Sequence, residues 1–133
     1  MIFVDTSAWF AAYVEVDANY FAASAFLASV VGDLITTDYI VAETLNLFRA
    51  RRRSARAMSF GDIVFDAKEI VVEQVSSDDL KRAWLLFRHY GDKHWSFTDC
   101  TSFAMIERLG IKTAFAFDQH FHQFGNVEVV PVS

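Results

Sequence analysis

Four carboxylates in this chain stand where a purely solvated charge is unusual. Asp5 follows the apolar run Ile2–Val4, and Asp118 closes the apolar run at 113–117. Asp99 shares a helical line with Ser102, Phe103 and Ile106, while Glu43 shares one with Tyr39, Leu47 and Ala50. Carboxylates held together repel, and at least one pKa should rise without compensation. A divalent cation removes the conflict. Hard oxygen donors with no His or Cys among them suit Mg²⁺ or Mn²⁺. One or two such ions lower the pKa of a water, orient it for in-line attack and stabilise charge on phosphate oxygens. That chemistry is hydrolytic cleavage of a phosphodiester. Thr6 or Ser7 could hydrogen-bond a carboxylate or a bound water.

Each acid also has a plainer reading. Asp99, three residues after Ser96, fits a capping-box acid that favours the helix dipole. Asp118 fits the cap of a turn or short helix, and Glu43 an exposed helix acid. Asp5 has the least obvious capping role. Asp38 is set aside as the cap of the helix that begins at Tyr39. Spacing alone leaves these alternatives open.

Strands must alternate with helices to place such acids. Ile2–Val4 predicts a strand and Thr6–Tyr13 a short helix. Asp17 is expected to cap a helix running to about Val31, with Phe21, Ala25 and Ala28 in register. Residues 34–36 read as a strand. The helix over 39–53 carries Ile40, Val41, Leu45 and Phe48 on one face. Residues 54–67 read as a helix weakened by Gly61, and 69–75 as β-rich. Ser76 or Ser77, with Asp78 and Asp79 in the first turn, opens a helix to Tyr90 that Gly91 ends. Ser96 or Thr98 opens the next, whose stripe is Phe103, Ile106 and Leu109 and whose stop is Gly110. Residues 113–117 and 127–130 give the last strands, the final one closed by Pro131. This alternation predicts an α/β fold: a parallel sheet with helices on both faces and right-handed crossovers. Ligands of open parallel sheets collect beyond the strands' carboxyl ends, where Asp5, Asp38 and Asp118 fall.

At 133 residues the chain has the length of a single domain, 1–133, with room for a core. Fourteen Phe and three Trp exceed what a small core is expected to need. The surplus reads as a buried partner surface, such as a dimer face, or simply as a Phe-rich core. No apolar run approaches the ~20 residues of a membrane span, and MIFVDTS lacks the basic flank and length of a signal peptide. A single cysteine, Cys100, fits a reducing cytoplasm and reads as packing. A net charge of −5 argues against a uniformly basic nucleic-acid binder. Yet Arg49, Arg51, Arg52, Arg53 and Arg56 put five of the twelve basic residues into eight positions. The run reads as phosphate contact beside an acidic cleft or as a solvated helix end that complements the dipole. His120 and His122 flank Phe121 and read as surface groups.

The stretches IFVDTSAW, TTDYIVAETLNLF, FTDCTSFAMIERLGI and AFAFDQHFHQFG resemble, in order and spacing, the motifs of PIN-domain ribonucleases, most closely the VapC-like toxins of toxin–antitoxin pairs. The resemblance runs from Ile2 to Gly125. It implies a three-layer α/β/α sandwich with a central parallel sheet. It implies that Asp5, Glu43, Asp99 and Asp118 form a Mg²⁺ or Mn²⁺ site, with Thr6 as the associated hydroxyl. It further implies an endoribonuclease acting on RNA, held inactive by a small antitoxin whose acidic tail could use the arginine run, and commonly a homodimer. The chain departs from the pattern at Gln119, where many relatives carry a basic residue or another acid. Two other readings stand beside this one. A catalytically silent PIN-like module that binds RNA or protein is disfavoured by the intact acids. A receiver-like signalling domain needs an acidic pair at the first strand and a lysine after a late one. Here Thr6 follows Asp5, and Asp118 stands in the lysine's place.

Overall fold

The computed structural model describes residues 1–30 and 32–132. Five short strands form one parallel sheet: β1 (Ile2–Val4), β2 (Leu34–Thr37), β3 (Ile70–Glu73), β4 (Thr113–Phe115) and β5 (Glu128–Val130). Their order is β3-β2-β1-β4-β5, so β1 is central. The chain builds outward from β1 to β3, then returns to lay β4 against the other side of β1. The order therefore reverses between β1 and β4, and a crevice opens beyond the carboxyl ends of those two strands. Asp5 follows one of them, and Asp118 lies three residues past the other.

Among the described residues, seven α-helices connect and cover the sheet, making an α/β/α sandwich: α1 (Thr6–Tyr13), α2 (Tyr20–Ser29), α3 (Asp38–Ala50), α4 (Ser54–Asp66), α5 (Ser77–His89), α6 (Phe97–Leu109) and α7 (Gln119–Phe124). Aromatic side chains fill two packing regions. Trp9, Tyr13, Phe48 and Phe60 interlock where α1, α3 and α4 meet. Phe3, Phe103, Phe121 and Phe124 pack β1 against α6 and α7. Six of the fourteen Phe are fully buried, five more pack half-buried on the core, and only Phe21, Phe65 and Phe87 are exposed. The phenylalanine surplus is thus mostly core.

Several boundaries differ from expectation. Helix α2 is capped in position by Asn19, whose N–H donates to the Asp17 carboxylate at 2.8 Å. Its expected end, Val31, lies outside the described residues. Its inner face is also not the expected one. Phe21, Ala25 and Ala28 are exposed, while Ala23 is buried and Phe26, Leu27 and Val30 pack inward. YFAASAFLAS has no polar face, so periodicity cannot orient it. Leu109 at the end of α6 is likewise exposed. Asp38 is not the cap of α3. Thr37 is, its Oγ1 accepting from the Ile40 N–H at 3.0 Å. Asp38 instead accepts from the Tyr39 and Val75 N–H groups, tying α3 to the loop before α5. β4 stops at Phe115, two residues early, because the Phe117 N–H leaves the ladder and donates to Ser7 Oγ at 3.0 Å.

Candidate active site

The residues of interest converge at the reversal point. A cavity of about 410 Å³ is lined by Asp5, Thr6, Ser7, Glu43, Leu47, His94, Ser96, Asp99, Asp118 and His120. All four carboxylates singled out from the sequence are on its wall. A larger cleft of about 660 Å³ lies between α5 and α7. It gathers no comparable set of acids, so chemistry rather than size selects the site.

Each acid is held by ordinary local structure. Asp5 is the N-cap of α1, a role its sequence context did not reveal. Its Oδ2 accepts from the Ser7 N–H at 3.1 Å and the Ser7 hydroxyl at 2.6 Å. Ser7 Oγ in turn accepts from Phe117, so one serine links the ends of β1 and β4. Asp99 closes a capping box with Ser96: each side chain accepts from the other's backbone N–H at 3.0 Å. The capping and clustering readings of Asp99 therefore coexist. Asp118 is the N-cap of α7, its Oδ1 accepting from the His120 N–H at 2.9 Å. Glu43 projects half-buried from the second turn of α3. The hydroxyl of the next residue, Thr44, lies 3.2 Å from that of Thr6.

Burial, with a smaller contribution from neighbouring charge, raises two of the four acids. Burial pushes the Asp5 carboxyl up to about 7. The two Ser7 hydrogen bonds oppose that rise, and the nearby charges of Asp99 and Glu43 add to it. Glu43 is raised as well, first by burial and then by Asp99 and Asp118, with the Thr6 hydroxyl pulling the other way.

One residue was misread from the sequence. His120 is not a surface group. Its Nδ1 lies 2.7 Å from Asp99 Oδ2 and 3.2 Å from Asp118 Oδ1, with the side chain 19% exposed. Its companion His122 is exposed, as expected. The available signal was the spacing: a residue two past an N-capping acid sits in the first helical turn and can face back toward the cap. His94, also on the cavity wall, adopts a left-handed backbone with φ 59°. Strain of that kind concentrates at functional sites.

The donor set fits a hard divalent cation. Four carboxylates share one wall, and two of them are pushed up by burial and mutual repulsion that a cation would relieve. Asp99, Asp118 and His120 each offer one donor atom, all within 4.8 Å of one another.

The arginines differ in their surroundings. Arg56 pairs with Glu15, while Arg49, Arg51 and Arg52 are exposed and without a carboxylate partner among the described residues. Arg51 follows Glu43 by eight residues along α3, about 12 Å of helical rise. Arg52 has φ 59°, turning the chain from α3 into α4.

The chain is similar to known proteins over nearly its whole length. It is 36% identical over 131 residues to the 23S rRNA-specific endonuclease VapC20 of Mycobacterium tuberculosis, covering 98% of this chain and 99% of that one. The crystal structure of M. tuberculosis VapC20, described as a sarcin–ricin loop cleaving toxin, superposes with a TM-score of 0.91 at 34% identity, over 98% of this chain and all of that one. FitAcB from Neisseria gonorrhoeae shares the fold at a TM-score of 0.68 and 15% identity, covering 98% of this chain and 97% of that one. The PIN domain matches residues 2–127, and with that span and those relatives the chain belongs to the PIN-domain family.

Proposed function

We propose that this chain, as one PIN-type unit over 1–133, is a Mg²⁺- or Mn²⁺-dependent endoribonuclease and the toxin of a toxin–antitoxin pair. The observation that carries the reading is the convergence of Asp5, Glu43, Asp99 and Asp118 on one cavity. These four would hold the metal. When bound, the metal supplies Lewis acidity toward a phosphate and a water made acidic enough to attack it. The protein's own groups set the stage. Ser7 fixes the Asp5 carboxylate, the Thr6 hydroxyl favours the charged form of Glu43, and the Ser96 box and His120 orient Asp99. Arg49, Arg51, Arg52 and Arg53 would hold RNA phosphates beyond the Glu43 end of α3, with Arg56 contributing when it leaves Glu15.

VapC20 is a 23S rRNA-specific endonuclease, and we extend that substrate class to this chain. A ribosomal target and a small protein inhibitor together imply action in the cytoplasm. No described helix is long and apolar enough to cross a membrane. A homodimer is part of the proposal, with the exposed Trp84, Leu85 and Phe87 of α5 offered to a second copy.

The test is direct. Intact ribosomes incubated with the purified chain and Mn²⁺ or Mg²⁺ should give a discrete cut in 23S rRNA by primer extension. EDTA or Asp5→Asn should abolish it. Cleavage that persists in EDTA would remove the metal mechanism. Binding without cleavage in any metal would instead favour the catalytically silent module.

A further inference from the structure

We propose that His120 Nδ1 is a direct ligand of the metal, alongside Asp99 and Asp118, and that this nitrogen makes the site prefer Mn²⁺ over Mg²⁺. The inference rests on the metal-site reading above and goes beyond its all-carboxylate form. The imidazole is aimed at both carboxylates at once, 2.7 Å from Asp99 Oδ2 and 3.2 Å from Asp118 Oδ1. Neighbouring donors on an octahedral ion with bonds near 2.1 Å are about 3 Å apart, so these spacings suit adjacent positions in one shell.

The ring is placed by more than one constraint. The His120 N–H donates to Asp118 Oδ1 at 2.9 Å, so the turn fixes the two residues relative to each other. Phe121, the next residue, is fully buried against Phe3 and Phe103 and anchors the turn to the core. The side chain is then held against the cavity rather than free in solvent. An ion bound here meets oxygens from Asp99 and Asp118 and one imidazole nitrogen. Mg²⁺ takes oxygen donors and retains its waters, so an imidazole nitrogen in the shell disfavours Mg²⁺ relative to a first-row transition ion, of which Mn²⁺ is the one that also accepts the hard carboxylates.

Pulsed electron paramagnetic resonance of Mn²⁺ bound to the purified chain tests this without reference to activity. The wild type should show ¹⁴N coupling to bound Mn²⁺, replaced by the ¹⁵N pattern when histidine is ¹⁵N-labelled. His120→Asn should still bind Mn²⁺ through the acids, lose the coupling and bind Mn²⁺ roughly tenfold more weakly, with Mg²⁺ affinity changed by less than about threefold. Bound Mn²⁺ with no nitrogen coupling, or coupling that survives in His120→Asn, overturns the proposal and leaves the carboxylate site standing. Failure of Mn²⁺ to bind at all overturns the metal reading itself. Should His120→Asn not fold, His94→Asn decides between the two cavity histidines: coupling that survives there supports His120, and coupling that vanishes overturns it.

Discussion

Two helix starts in this molecule carry the same local device and put it to different ends. Ser76–Asp79 opens α5 and Ser96–Asp99 opens α6, each as a complete capping box, and both aspartates are buried. Asp79 receives the Arg108 guanidinium in a two-pronged contact at 2.8 and 3.0 Å, which holds its carboxyl below the usual carboxylate range. Asp99 has no arginine partner among the described residues. It faces His120 and shares its cavity with three other acids. The same four-residue motif is therefore neutralised structure in one place and concentrated negative charge in the other. What separates them is the tertiary surroundings, not the motif.

The largest expected difference is in catalysis. Asp99→Asn should cut RNA cleavage by roughly a hundredfold or more, since a lost ligand removes several kcal/mol of transition-state stabilisation. Asparagine still accepts the Ser96 N–H bond and relieves repulsion, so melting in EDTA should move little. With Mn²⁺ the parent should gain stability by binding linkage and the variant less. Asp79→Asn should do the reverse. Cleavage should stay near wild type, while stability should fall by about 1–3 kcal/mol as a charge-assisted contact is lost. Equal activity losses in the two variants would erase the distinction.

The pH dependence should divide the same way. Asp5, in the cluster, has its ordinary value near 3.8 when unfolded and about 7 when folded. Between those values the native state holds a proton that the unfolded chain has released. Stability from this group is thus full below the unfolded pKa and lost as pH rises through the folded one, by at most about 4 kcal/mol. Asp79 has the opposite sign: its lowered pKa gives stability that is present above the ordinary value and lost as pH falls through the lowered one. Melts in EDTA across roughly pH 5 to 8 should show a decline toward alkaline pH that Asp5→Asn flattens. Excess Mn²⁺ should abolish that decline, because the cation favours the carboxylate. An unchanged slope in Asp5→Asn would mean the cluster is less strained than its geometry indicates.

The basic side chains extend the contrast. Arg108 is committed to Asp79, whereas Arg51, Arg52 and Arg53 have no carboxylate partner among the described residues. Replacing those three by alanine should reduce the slope of log affinity against log salt for RNA by about 2, the release expected from three phosphate contacts. An Arg108→Ala change should leave that slope alone. Anisotropy titrations of labelled RNA over a salt series would measure both.

Much of this was legible in the chain. The alternation of apolar runs and helical stripes implied a parallel α/β sheet, and four acids stood out because each broke an apolar context. Other features depend on contacts that no local pattern encodes. The inward face of α2 is set by the bulk of Phe26 against Phe115, in a helix with no polar side to orient it. The Asp79–Arg108 pair joins residues 29 apart in sequence, so the capping box at Ser76 could not be told from the one at Ser96. His120 was misjudged because alternation around Phe121 is a strand argument, and the residues form a helical turn capped by Asp118.

The smallest expected effect is also the closest test of how far the two boxes are alike. Ser76→Ala and Ser96→Ala each remove a hydroxyl that accepts from the aspartate N–H, at 3.1 and 3.0 Å. Each should cost about 1 kcal/mol of stability, the usual worth of such a cap. If the boxes are only caps, the two variants should be indistinguishable in every assay. But in the α6 box the aspartate is also a proposed ligand, and Ser96 lines the cavity. Losing its hydroxyl lets the first turn of α6 fray and the Asp99 carboxylate wander, although the Ser96 N–H still reaches it. Ser96→Ala should therefore lower cleavage several-fold and weaken Mn²⁺ binding, while Ser76→Ala changes neither. Melts matched for stability, with Mn²⁺ titrations beside the cleavage assay, separate the outcomes. Equal activity in both variants would mean that His120 and the cluster hold Asp99 in place without its cap.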